Sequence, residues 1–215
     1  KVSKIYTANG AAERANYFRK KYSENELTCI VGAREFARNE QVSRRIIEAK
    51  PEKFFIRSGA IDLPIELKDY SKLILLSNDE QWNFQSKFFK YKKLSLFFSE
   101  IFHQSKLIDK LIHYLKFIKN KNIWGVSTGF YAILLALDEN PNSKIIISGI
   151  GMKGGKQFYK SERSNYYVYD SRARVDKFLI NRLFKNYKDR LCTLDQELAE
   201  ISGISLWKGD LLQLQ

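Results

Sequence analysis

Histidine is nearly absent from this chain: His103 and His113 are the only two among 215 residues. Both fall in one aromatic, lysine-rich stretch, so a mechanism built on histidine as general base or metal ligand has little to draw on. Cysteine is equally scarce. Cys29 and Cys192 sit in apolar runs, LTCIV and RLCTL, with no CxxC spacing and no histidine neighbour. That excludes a disulfide framework and a local zinc site, and predicts two buried thiols in a reducing compartment. Three prolines and eleven glycines leave no room for a long disordered linker. No apolar run approaches the roughly 20 residues that span a bilayer, and the opening KVSKIYTANG has no signal-peptide core. The expectation is a cytoplasmic protein, free to lie peripherally at the inner membrane face. Also missing are GxxxxGKS/T, GxGxxG after the first strand, HExxH and GxSxG, so P-loop, dinucleotide, zinc-protease and serine-hydrolase chemistry lack local support.

What the chain does have is positive charge. A net charge of +13 predicts attraction to an anionic partner: nucleic acid, a phosphorylated substrate or an acidic membrane face. A chain of this length buries about 70% of its unfolded surface in one core, and a single domain over residues 1–215 is expected.

Strand-like runs recur with helix-length polar segments between them. KIYT precedes Asn9-Gly10 and an Ala/Glu/Arg-rich helical stretch, and LTCIVG precedes RNEQVSRRIIEAK, a helix that Pro51 ends. KFFIRSG and KLILLSN follow, and RLCTLD and ISLWKGD come near the end. Parallel neighbours need crossovers of a dozen or more residues, so this spacing predicts an α/β layer architecture with a mostly parallel sheet flanked by helices. Ligands on such sheets bind beyond the carboxyl ends of the strands. Asn9-Gly10, Gly32, Ser58-Gly59 and Ser148-Gly149 all stand at strand ends.

The middle region, about residues 84–120, mixes aromatics with lysines, and Leu107, Ile108, Leu111, Ile112 and Leu115 recur at helical spacing. Two readings stay open: a core-facing stripe with a solvated lysine face, or a basic surface that meets anionic lipid headgroups or a partner.

The segment WGVSTGFYAILLALDENPNSKIIISGIGMKGG carries the chemistry. Ser127-Thr128-Gly129 ahead of an aliphatic helix can present hydroxyls and free N-terminal amides to an anion, or act as an ordinary cap. Asn9-Gly10 lets backbone approach a ligand because glycine has no Cβ, and the Asn amide both donates and accepts; it can equally be a tight turn. After Gly151 the chain is rich in Gly, Lys, Ser and Tyr without periodicity, which predicts a long flexible loop, and loops of that kind are usually functional. Helical spacing resumes from about Arg172.

Taken in chain order, these pieces resemble the bacterial sialyltransferases that extend lipooligosaccharides. That family has a modified Rossmann-like fold and uses a CMP-activated nonulosonic acid without a metal. IYTANG is similar to its first strand and Asn-Gly turn, IVGAREF to its second strand and nucleotide-contacting turn, and FFIRSG to its third. STGFYAILLAL followed by IIISGI matches best. The resemblance implies a Rossmann-like sheet with a flexible lid over about residues 151–171. It turns Asn9, Gly10, Gly32, Arg57, Ser58, Ser127, Thr128, Gly129, Ser148 and Gly149 toward the CMP. Tyr159, Tyr166 and Tyr167 would reach the donor phosphate, with Lys156 and Lys160 adding charge. It implies inverting transfer of a sialic-acid-like or Kdo-like sugar to a surface glycan or glycolipid, in lipooligosaccharide or capsule biosynthesis. The CMP-sugar is a substrate, and no cofactor or metal is implied.

The chain also departs from that pattern. The family's general-base histidine near the end of the lid is missing from YYVYDSRARVDKF, where Asp170 or Ser171 falls instead, with Asp176 as the following helix aspartate. Burial would raise the pKa of such an aspartate toward that of a base, while Arg172 and Arg174 would lower it. Gly151 replaces an aspartate after Ser-Gly-Ile. Near Arg57 an asparagine is replaced, and the arginine could instead grip a phosphate or carboxylate by two parallel hydrogen bonds. Two alternatives stand beside the transferase: a basic nucleic-acid-binding α/β protein, and a catalytically reduced relative that keeps the nucleotide pocket. The charges are spread along the chain rather than gathered in one motif, so nucleic acid is not the expected partner. Oligomeric state is left open.

Overall fold

The structure is a computed structural model and describes residues 2–21, 25–57, 73–89, 107–108, 110–112, 115, 126–150 and 166–209. In chain order the elements are β1 (Lys4–Ala8), a 3-10 turn (Asn9–Ala11), α1 (Ala12–Lys21), β2 (Glu26–Gly32), α2 (Ala33–Arg38), α3 (Glu40–Ala49), β3 (Lys53–Arg57) and β4 (Leu73–Leu76). They are followed by α4 (Asn78–Phe89), α5 (Thr128–Glu139), β5 (Ile145–Ile147), α6 (Tyr166–Tyr187), β6 (Leu191–Thr193), α7 (Gln196–Ser202) and β7 (Ser205–Leu206).

The architecture is α/β with parallel strands, as the spacing of the runs predicts. It holds two sheets rather than one: β1-β2-β3-β4 and β5-β6-β7, with every pairing parallel. Side chains alternate across the first sheet because a strand has a period of two. Leu27, Cys29, Val31, Phe54 and Ile56 join Ala12 of α1, Phe36 of α2 and Val42 and Ile46 of α3 in one cluster. Ile30 and Phe55 face the other way, into a larger cluster with Trp82, Phe89, Phe130, Leu134, Ile180 and Leu183. The first sheet is therefore covered on both faces, which is why its central strands read as unbroken apolar runs. Ile147 and Leu191 of the second sheet share the larger cluster, so one core spans both sheets.

Helix α5 is the joint. Every residue from Phe130 to Leu137 is buried, the pattern of a helix with no solvent face. It packs on β1, β2 and β5. Its C-terminal end is fixed by Glu139, whose carboxylate accepts from Tyr6 Oη at 2.5 Å and pairs with Lys53 Nζ at 3.3 Å. Burial, with that carboxylate close by, pushes the Tyr6 phenol well above its ordinary pKa.

Two expectations need correction. Helix α6 begins at Tyr166, so residues 166–171 are helix and not part of a lid loop. No Gly or Pro interrupts the run from Tyr166 to Tyr187, and nothing in it stops a helix. Residues 151–165, the rest of the expected lid, lie outside the described residues. The stripe Leu107, Ile108, Leu111, Ile112 and Leu115 is helical but exposed, so it is not a core-facing stripe. The aromatic region does supply core at its start, through Phe88 and Phe89 of α4.

Candidate functional site

The C-terminal ends of β1, β2 and β3 converge on the N-terminus of α5. Asn9 follows β1 directly and holds a left-handed φ of 51°, a conformation that asparagine tolerates better than most residues. Its Oδ1 accepts from the Gly32 N–H at 3.4 Å, which ties the first strand end to the second. A Cβ placed on Gly32 would lie 4.0 Å from Thr128 Oγ1. Asn9, Gly32 and Thr128 are all half-buried, while Gly10 is buried. Three segments far apart in sequence thus share one solvent-accessible rim.

Arg57, the last residue of β3, lies beneath that rim and is 7% exposed. Its Nε donates to Gln81 Oε1 at 2.9 Å, its Nη2 to the Val126 carbonyl at 2.9 Å, and its Nη1 lies 3.5 Å from Thr128 Oγ1. The guanidinium also stacks over the Tyr131 ring at 4.6 Å. With all three nitrogens on protein groups, Arg57 does not present the open fork that a two-point grip on a phosphate requires. Its role is to hold the segment entering α5 and to lend positive potential from behind. Burial pushes the Tyr131 phenol up to about 12, against the opposing pull of Arg57.

Ser127 proves to be a helix cap: its Oγ accepts from the Phe130 N–H at 3.1 Å, and the Tyr131 N–H reaches its carbonyl. The Thr128 and Gly129 N–H groups are left at the free end of the helix. Asp176 of α6, 4% exposed, accepts from the Ser127 N–H through Oδ1 at 3.0 Å. This brings α6 to the site. Asp170, Ser171 and Tyr167 stand on the same helix, upstream of that contact. Ser58 and Tyr159, like Lys156 and Lys160, lie outside the described residues.

Ser148 and Gly149 follow β5, and both are exposed. Gly149 has a φ of 73°, and its N–H donates to Asp195 Oδ2 at 2.7 Å. Its amide is therefore held by the chain itself. The next residue, Ile150, links this turn to the rim: its Cδ1 and Cγ1 lie 3.6 Å from where a Cβ on Gly129 would stand.

Sequence reasoning passed over Gln81, Gln85 and Asp195. The two glutamines are buried and one turn apart on α4; Gln85 Oε1 accepts from the Val126 N–H at 3.3 Å. A pair of polar residues at i, i+4 among Trp82, Phe84, Phe88 and Phe89 was the available signal. Asp195 offered none, since its partner is a backbone amide 46 positions away. Compared with protein-family models, curated proteins and solved structures, the chain has no significant match.

Proposed function

We propose that this rim binds the CMP moiety of an activated sugar, and that the chain is an inverting glycosyltransferase. It would move a sialic-acid-like or Kdo-like sugar to a surface glycan or glycolipid presented at a membrane face. The observation that carries this reading is the convergence of Asn9, Gly32 and Thr128 at the carboxyl ends of parallel strands, where an open α/β sheet binds its ligand.

The chemistry of the rim suits a nucleoside monophosphate. Helix N–H groups at Thr128 and Gly129 carry partial positive charge. Arg57 adds a full charge behind Thr128, in surroundings where water screens it poorly. Gly32 allows close approach of backbone, and the Asn9 amide, oriented by the Gly32 N–H, has its Nδ2 donors for a base or ribose oxygen. In the transfer, the acceptor hydroxyl gives its proton to a base and its oxygen bonds to the anomeric carbon. The bond from that carbon to the phosphate oxygen breaks, and the electron pair leaves with CMP. The donors that hold the phosphate offset the charge it gains. Asp170 is the proposed base: it lies six residues before Asp176 on α6, about 9 Å along the helix axis from the residue that touches Ser127. Asp170→Asn is expected to lose turnover and keep CMP binding.

The deciding experiment is a thermal melt with CMP and with CMP-nonulosonates, alongside an assay for released CMP. A rise in melting temperature with CMP, and CMP release that depends on acceptor, are expected. No shift at saturating CMP and no release from any CMP-nonulosonate would end this reading; a shift without release would leave a nucleotide-binding relative that has lost the reaction.

A further inference from the structure

We infer that Asp195 is a positioning residue for the rim: it fixes the turn after β5 so that Ile150 forms an aliphatic wall beside the free amides of α5, against which the ribose of a bound nucleotide packs. The inference takes its ligand from the CMP reading and rests on it. Asp195 stands at the N-cap position of α7, yet its side chain caps nothing there. An aspartate at that position ordinarily accepts from the first amides of its own helix, which stabilises the helix start. Here Oδ2 accepts instead from the Gly149 N–H at 2.7 Å. The backbone behind it is braced for that reach: Thr193 Oγ1 accepts from the Asp195 N–H at 3.0 Å and donates to the Ile147 carbonyl at 3.1 Å.

The tie matters because packing does not fix the turn. Gly149 has a φ of 73°, and no non-adjacent atom lies within 4 Å of where its Cβ would stand. Glycine moves between backbone conformations more freely than any other residue, so the hydrogen bond to Asp195 is what selects this one. The next residue carries the consequence. Ile150 Cδ1 and Cγ1 lie 3.6 Å from a Cβ built on Gly129, and the side chain also packs on the larger core cluster. It therefore borders the helix end where the Thr128 and Gly129 N–H groups are free. An aliphatic wall beside anion-binding amides fits a ligand whose phosphate is joined to a ring with an apolar face, and the ribose phosphate of CMP is such a group. Asp195 acts on that ligand through Gly149 and Ile150, so the second sheet helps to set a rim that the first sheet builds.

The test compares Asp195→Ala, Asp195→Asn, Ile150→Ala and the double variant Asp195→Ala/Ile150→Ala. Each is titrated with CMP well below its melting temperature, and the amide resonances of Thr128 and Gly129 are recorded in the ligand-free chain. Asp195→Ala should weaken CMP binding by about three- to tenfold, the scale of one lost hydrogen bond, and Asp195→Asn, which keeps an acceptor oxygen, should restore it to within about twofold. Residues that act as one unit are non-additive, so the double variant should bind no more weakly than Ile150→Ala alone. The ligand-free resonances should move in Asp195→Ala and return with Asn. An aspartate that only stabilises the fold would lower the melting temperature and leave CMP affinity unchanged, and that result would overturn the inference. Additive losses in the double variant would do the same, as would ligand-free resonances that stay in place in Asp195→Ala. Absence of CMP binding by the parent, with the resonances still moving, would end the CMP reading while upholding Asp195 as the residue that positions this helix end.

Discussion

Gly32 separates folding from binding more cleanly than any other position of the rim. Its backbone, at φ −75° and ψ 135°, suits any residue, and an added methyl would meet nothing closer than Thr128 Oγ1 at 4.0 Å. Gly32→Ala should therefore be neutral or stabilising by about 0.4–1 kcal/mol, while its methyl occupies the space a ligand needs. The expected result is a urea midpoint unchanged or raised and a CMP-induced thermal shift reduced or lost; an intact shift would mean that the nucleotide does not sit there. Arg57 predicts the opposite pattern. Arg57→Met leaves Gln81 Oε1 and the Val126 carbonyl without their donor, and at about 1–3 kcal/mol for each stranded buried group the variant should lose about 3 kcal/mol in urea unfolding. Tyr131 carries a pH dependence with a definite sign. Its phenol is pushed up to about 12 in the folded chain against about 10 in an unfolded one, so the native state holds the proton more tightly. Its contribution is complete below about pH 10 and is lost as pH rises to about 12, at up to about 1.4 kcal/mol per pH unit. Tyr131→Phe should thus lose less stability than the parent between about pH 10 and pH 12. Parallel losses in the two proteins would show that this phenol is not buried as described.

At the scale of elements, what could be read from the sequence was whatever local periodicity dictates. LTCIVG shows a fully buried strand, STGFYAILLAL a buried helix behind a serine cap, and the alternation of runs the parallel pairing. These are properties of adjacent residues, and each predicted strand-end turn that the structure describes does lie at a strand end. The rim could be anticipated for the same reason, since Asn9, Gly32 and Thr128 are punctuation between elements. The boundary of α6 could not. Tyrosine has little preference between helix and loop, so YYVYDSRARVDKF gives no local stop or start, and the helix extends back to Tyr166. The double sheet was equally hidden, because whether β5 joins β1 or β6 is decided by contacts 46 or more residues apart. The roles of Arg57 and Asp176 belong to this non-local class: a strand-end arginine looks ligand-facing until the partners that bury it are known. Asp176 makes a prediction about the joint between α6 and α5. Asp176→Ala strands the Ser127 N–H and should cost about 1–3 kcal/mol, while Asp176→Asn keeps an acceptor oxygen and should cost less. Urea unfolding of the two variants checks the order; equal losses would point to charge rather than the amide contact as what Asp176 supplies.

For the molecule as a whole, the two competing readings of the large positive charge, a nucleotide rim and a nucleic-acid surface, respond differently to salt. A rim that grips one nucleoside monophosphate relies on a few fixed donors around a partly desolvated phosphate, and such contacts are screened weakly. A surface that tracks a nucleic-acid strand releases many counterions, and its affinity falls with salt at a log–log slope near −0.7 for each phosphate contacted on single strands. The structure places Arg57, whose Nη1 lies 3.5 Å from Thr128 Oγ1, in the interior. The lysines between positions 106 and 121 lie in a part of the sequence separate from every residue that forms the rim. The two readings are therefore separable in one experiment. Melting curves with CMP and binding titrations with single- and double-stranded DNA and RNA, each at low and near-physiological salt, should show a CMP shift that largely persists. Binding at the level of 100 Kd corresponds to about 2.7 kcal/mol of added stability. Nucleic-acid binding should be weak and fade steeply with salt. Tight, salt-steep association with RNA or DNA, together with no response to CMP, would mean that the charge serves a polyanion and that the rim is no nucleotide site.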